Sequence, residues 1–203
     1  EILNEDGSMA RRPELEKFAE KHDLKIGTIA DLIEYRNLNE TTIEKVAQCH
    51  LPTEYGDFEL HTFKDSIDNQ LHFALKNGEV TEDNPTLVRV HLHNTFSDLL
   101  GSTRGIHRSM TLADGMRKIA EEGGILVLLG KEEHIEHQVR RFAAEDRGER
   151  PAGADWQGSS RTIGVGSQIL VSMGVQKMRL LSKPIKYHAL SGYGLEVVEY
   201  VHD

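Results

Sequence analysis

The sequence predicts an α/β fold, and three observations carry that expectation. Apolar segments of strand length alternate along the chain with stretches whose apolar residues recur at helical spacing. One segment, Leu87 to His93, alternates strictly, placing Val88, Val90 and Leu92 on one side and Arg89, His91 and His93 on the other. A third segment, Ile125 to Leu129, is an unbroken apolar run short enough to be a strand buried on both faces.

Taken in order, the chain opens on a short apolar stub and an Asn4-Glu5-Asp6-Gly7 turn, residue types that tolerate left-handed backbone. Pro13 suits a first helical turn, and Leu15, Phe18 and Ala19 then share one helical face. Thr28 with Asp31 three residues on announces a second short helix with Ile29, Leu32 and Ile33 on its apolar side. Polar residues from Asn37 to Thr42 read as a linker, so a tail of residues 1–39 is expected to precede a domain of residues 40–203. Strands are expected at Phe58 to Phe63 and Leu71 to Leu75, with Cys49 on an earlier strand as a small buried hydrophobe. A helix from about Thr111 to Glu122 has a Thr-x-x-Asp start and a Gly123-Gly124 stop. Beyond it come a charged helix with Ile135, Val139, Phe142 and Ala143 as its buried stripe, and a glycine-rich loop from Arg147 to Ser160. A helix around Ser167 to Met173 and strands at Met178 to Leu181 and Leu195 to Val201 complete the chain.

Composition narrows the function classes. At 203 residues and 38% hydrophobic, the chain can bury a substantial core. No apolar run is long enough to span a bilayer and no export leader is visible, so a cytoplasmic protein without a membrane partner is expected. The start at Glu1, with no initiator methionine, reads as a chain entered midway. A net charge of -9 argues against nucleic acid as a partner, since that affinity rests on cations that neutralise phosphate. The single cysteine rules out an internal disulfide and a thiolate zinc cage.

Two stretches resemble known families. Glu1-Ile2-Leu3-Asn4-Glu5-Asp6-Gly7-Ser8-Met9-Ala10-Arg11 and Lys25-Ile26-Gly27-Thr28-Ile29-Ala30-Asp31-Leu32-Ile33 resemble the C-terminal end of 3,4-dihydroxy-2-butanone 4-phosphate synthase. That resemblance implies that Glu1 matches an acidic residue that helps bind ribulose 5-phosphate. The family's acidic metal loop and catalytic histidine lie upstream of it, so the reaction is not expected of this chain alone. From about Lys45 to Val201 the chain resembles GTP cyclohydrolase II, through Leu51-Pro52-Thr53-Glu54-Tyr55-Gly56-Asp57-Phe58, Leu87-Val88-Arg89-Val90-His91, Gly164-Val165-Gly166-Ser167-Gln168 and Gly192-Tyr193-Gly194-Leu195. The implied fold is a mixed sheet with flanking helices, and the implied assembly is a homodimer.

The resemblance also implies a chemistry whose parts are missing. The family opens the GTP imidazole ring with a zinc-activated water, the zinc being held by three cysteines. Those positions fall on Asn94, Gly105 and His107, the last two following Arg104. A segment that contacts the triphosphate aligns with Gly130 to His137, where two added carboxylates, Glu133 and Glu136, would repel it; the acidic run around Glu132 reads as a surface feature. The arginine proposed as nucleophile is Arg161, with Ser159 where the family has an aspartate, and a shortened Ser182-Lys183-Pro184-Ile185-Lys186 keeps a hydroxyl and amines for an anion.

The expected cofactor is therefore none, and no catalytic residue is assigned. Arg89, His91, Arg104, Ser182 and Lys186 are the candidate binding residues for GTP or a phosphorylated metabolite. If a metal is held, His91, His93 and His107 are its ligands. His134 and His137, among Glu132, Glu133 and Glu136, read as a solvated helical face. The expected function is a non-catalytic domain that stabilises, dimerises or regulates a fused synthase of riboflavin biosynthesis. The alternatives are a nucleotide hydrolase with a histidine metal site and a nucleotide-sensing module.

Overall fold

The structure, a computed structural model, describes residues 2–27, 31–32, 35–36, 39–81, 84–104, 110–130, 133, 135–149, 160–184 and 190–201. It divides into two compact units, Glu1–Asn39 and Glu40–Asp203. In the first unit Leu3 bridges Met9 across the expected turn, with Gly7 at φ 81. Helix α1 (Arg12–Lys21) follows with proline in its first turn, and its Ala19 is buried. Thr28, Ile29 and Ile33 lie outside the described residues, and Leu32 is exposed.

The second unit is built on one seven-stranded sheet. Its strands are β1 (Ile43–Thr53), β2 (Gly56–Asp65), β3 (Leu71–Asn77), β4 (Thr86–Leu92), β5 (Gly124–Leu129), β6 (Lys177–Leu181) and β7 (Glu196–Val201), in the spatial order β1-β2-β3-β5-β4-β6-β7. The β1, β2, β3 and β5 neighbours pair antiparallel, and the β5, β4, β6 and β7 neighbours pair parallel. Parallel neighbours need a crossover, and helices supply it. Helix α2 (Leu112–Glu122) carries the chain from β4 to β5, while α3 (Ile135–Asp146) and α4 (Ser160–Ser172) carry it from β5 to β6.

Both sheet faces are covered. On one, Met116 and Ile119 of α2 pack against Phe58, Leu75, Leu87, Leu126 and Leu181. On the other, Val165, Ile169 and Leu170 of α4 meet Phe63, Ala74, Val88, Ile125, Val127 and Met178. Leu126 and its neighbours Ile125 and Val127 therefore serve opposite cores, which explains the unbroken apolar run in β5. Burying a side chain such as Ile119 completely contributes roughly 1.5–3 kcal/mol. Thr111 caps α2 by accepting from the Asp114 N–H at 3.1 Å, and Gly123 ends it at φ 79.

Several expectations need correction. The stripe on α3 is not buried: Ile135 and Val139 are exposed, none of the helix's residues is buried, and Phe142 is its half-buried anchor. Helical spacing reports which residues share a face, and says nothing of whether another element covers that face. Cys49 is exposed, because β1 is the sheet's edge strand, paired only with β2, and both of its faces are exposed over most of its length. Helix α4 begins seven residues earlier than Ser167, so Gly164 and Gly166 lie inside it. Of the Arg147 to Ser160 loop, residues 150–159 lie outside the described set.

Candidate functional site

In sheets with parallel strands, ligand sites gather beyond the strands' carboxyl ends. Strands β4 and β5 are adjacent and parallel, so the residues that follow them are brought side by side, and the His93 N–H donates to the Leu129 carbonyl at 3.3 Å. After β4 the chain enters a single π-turn, Thr95–Leu99. Asn94 caps it, its Oδ1 accepting from the N–H groups of Phe96 at 3.1 Å and Ser97 at 3.0 Å. A groove of about 300 Å³ opens here, lined by Leu92, His93, Asn94, Phe96, Ser97, Ser102, Arg104, Glu133, Gln138, Arg141 and Phe142.

The alternation read from β4 is realised, but its polar side is not open. Val88, Val90 and Leu92 join the core beneath α4. Arg89 donates from Nη1 to the Leu181 carbonyl at 2.7 Å and from Nη2 to the Met110 carbonyl at 3.2 Å, which ties the end of β6 to the entry of α2. His91 is buried, with Nε2 2.9 Å from Asp98 Oδ2, and Asp98 also accepts from the Asn94 N–H at 2.9 Å. Burial pushes the His91 imidazole below its ordinary value, against the pull of Asp98. Burial alone would raise the Asp98 carboxyl, yet hydrogen bonds from His91, the Asn94 N–H and Ser97 together hold it below its usual range. The consistent assignment is a neutral His91 donating from Nε2 to an ionised Asp98, with Nδ1 buried and unpartnered among the described residues.

His93 faces the groove between two carboxylates, its Nδ1 3.8 Å from Asp98 and its Nε2 3.6 Å from Glu133. Glu133 is not the surface residue expected of the acidic run: its side chain is 10% exposed. It accepts from the Thr95 N–H at 2.8 Å and, through a very short bond, from the Thr95 hydroxyl. Arg104 lies on Phe142, its Cζ 5.2 Å from the ring centroid, and it pairs with Asp146. Phe142 meets Phe96 edge to face at 5.1 Å.

The remaining candidates lie apart from the groove or outside the described residues. Arg161, at the start of α4, donates from Nη2 to Asp65 Oδ2 at 2.8 Å, and the same nitrogen lies 2.9 Å from Asp68 Oδ2. Asp65 is wholly buried at the end of β2, so this guanidinium holds the β2–β3 turn and does not line the groove. Ser182 donates to the Lys183 carbonyl at 2.7 Å. Lys186, His107, Gly105, His134, Glu132 and Ser159 fall outside the described residues. His137 is exposed on α3, as a solvated face requires. Asp65 and Asp98 were missed by the sequence reading, although each left a trace: Asp65 and Asp68 each accept from a backbone N–H two residues on, and Asp98 follows an Asn cap.

The described residues do not supply a set of ligands for the family zinc. Asn94, which the resemblance places at the first ligand position, has its side-chain carbonyl oxygen engaged by two backbone N–H groups. The chain's single cysteine, Cys49, is on the exposed edge strand. Among the described residues no three His, Cys, Asp or Glu side chains are placed to hold a metal.

Fold and site together define a mixed-sheet α/β domain with a groove of internally paired charges at the carboxyl ends of its central strands. Residues 44–202 match the family described as GTP cyclohydrolase II, and the chain belongs to that family. Residues 1–35 match 3,4-dihydroxy-2-butanone 4-phosphate synthase. The chain is 50% identical over 207 residues to a protein from Photobacterium phosphoreum named 3,4-dihydroxy-2-butanone 4-phosphate synthase, covering 99% of this chain and 54% of that one. It is 43% identical over 211 residues to the riboflavin biosynthesis protein RibBA of Aquifex aeolicus, covering 99% and 52%. Among solved structures it resembles RibBX, a two-domain 3,4-dihydroxy-2-butanone 4-phosphate synthase from A. baumannii, with a TM-score of 0.67 and 43% identity over 98% of this chain and 52% of that one. The chain thus spans about half the length of the curated relatives it matches. No described helix is long and apolar enough to cross a membrane.

Proposed function

We propose that this GTP cyclohydrolase II domain does not open GTP, and that it stabilises or regulates a 3,4-dihydroxy-2-butanone 4-phosphate synthase of riboflavin biosynthesis to which it is fused, in a homodimer. The observation that carries this reading is Asn94: where the family places a zinc thiolate, an amide caps a backbone turn and offers nothing with which to activate water. Arg161 supports it, because its guanidinium is engaged by Asp65 and Asp68 and does not line the groove. The names of the relatives support the synthase as the working partner.

The test is zinc content measured with GTP-dependent formate release on one sample, and synthase turnover of the longer polypeptide with and without residues 40–203. The expected result is no stoichiometric zinc, no formate, and lower synthase activity or stability on truncation. Stoichiometric zinc together with formate release refutes the proposal.

A further inference from the structure

The charges lining the groove are satisfied from within the protein. Arg104 is taken by Asp146, Arg141 by Glu145 at 3.2 Å, and both oxygens of Glu133 by Thr95. These contacts differ in how easily they yield. Asp146 and Glu145 are 61% and 40% exposed, so either can swing into water at little cost. Glu133 is 10% exposed and lies 3.6 Å from His93, so its charge stays in the groove whatever enters. A fixed carboxylate in a partly desolvated site repels an incoming anion far more strongly than a solvated one does.

We propose that Glu133 is an autoinhibitory latch: its carboxylate pins Thr95 and closes the groove to polyphosphate and other acidic ligands, leaving neutral ones unaffected. The proposal rests on the reading that this domain does not turn over GTP, and it names the residue that keeps the triphosphate out. It also assigns His93 to the latch as the imidazole that faces the carboxylate, in place of a metal ligand.

The test is calorimetric titration of the full chain with inorganic triphosphate and, separately, with guanosine, comparing wild type with Glu133→Gln. The amide keeps an acceptor for the Thr95 N–H and removes the charge. The expected result is at least tenfold tighter triphosphate binding by Glu133→Gln than by wild type, with guanosine binding equal in the two. If Glu133→Gln does not fold, Glu133→Ala, which also removes the charge, is expected to show the same gain, while Glu133→Asp, which keeps the charge, is expected to bind triphosphate no more tightly than wild type. A folded variant that binds triphosphate no more tightly than wild type overturns the latch. Triphosphate binding by wild type without formate release overturns the latch alone, whereas zinc-dependent formate release overturns the functional reading on which it rests.

Discussion

Val88 and His93 leave the same strand segment five residues apart, and they meet opposite surroundings. Val88 is fully buried between apolar neighbours of β5, β6 and α4, while His93 is 41% exposed between two carboxylates. Inside the sheet a position is set by space, since a close-packed interior leaves no room for an added or missing carbon. At the rim a position is set by hydrogen bonds, and more than one side chain can supply those. That difference explains how a GTP cyclohydrolase II framework carries Asn94 and Glu133 at its rim without loss of the sheet.

The largest effect should come from breaking the interior at a point with no slack. Gly124 starts β5 at φ 136, and a Cβ there would be driven into the Leu87 carbonyl of β4. Neither strand can retreat without opening the parallel pair, so Gly124→Ala is expected to cost about 4 kcal/mol or more in urea denaturation, a large share of an ordinary domain's stability. Asp65→Ala sits between the two regimes. It strips Arg161 of a wholly buried partner, but Arg161 is 39% exposed and keeps Asp68, so a loss of about 2 kcal/mol is expected, below the range for fully buried pairs. At the rim, Asn94→Ala removes one cap and should cost about 1 kcal/mol, with Asn94→Asp near neutral. An Asn94→Ala loss as large as that of Gly124→Ala, read from the same denaturation curves, would erase the distinction between interior and rim.

The elements legible in the sequence were those whose signals lie within a few residues. The Thr111 cap, the Gly123 stop, the alternation of β4 and the run of β5 all depend on neighbours along the chain. What failed depended on what else arrives nearby. Ile135 and Val139 have helical spacing but no covering element among the described residues, and Cys49 has strand neighbours on one side alone because β1 is the sheet's edge. Glu133 belonged to an acidic run that reads as solvated, yet it turns inward because Thr95 presents two donors to it.

Residue order by itself determined the alternating α/β pattern, the resemblance to GTP cyclohydrolase II and the loss of thiolates from the zinc positions, because each is a matter of which side chains occur and at what spacing. Tertiary structure alone decided that Arg161 clamps Asp65 across 96 residues and that Glu133 reaches Thr95 across 38. A charge's role depends on the partner and the degree of burial it meets in space, and chain separations of that size specify neither.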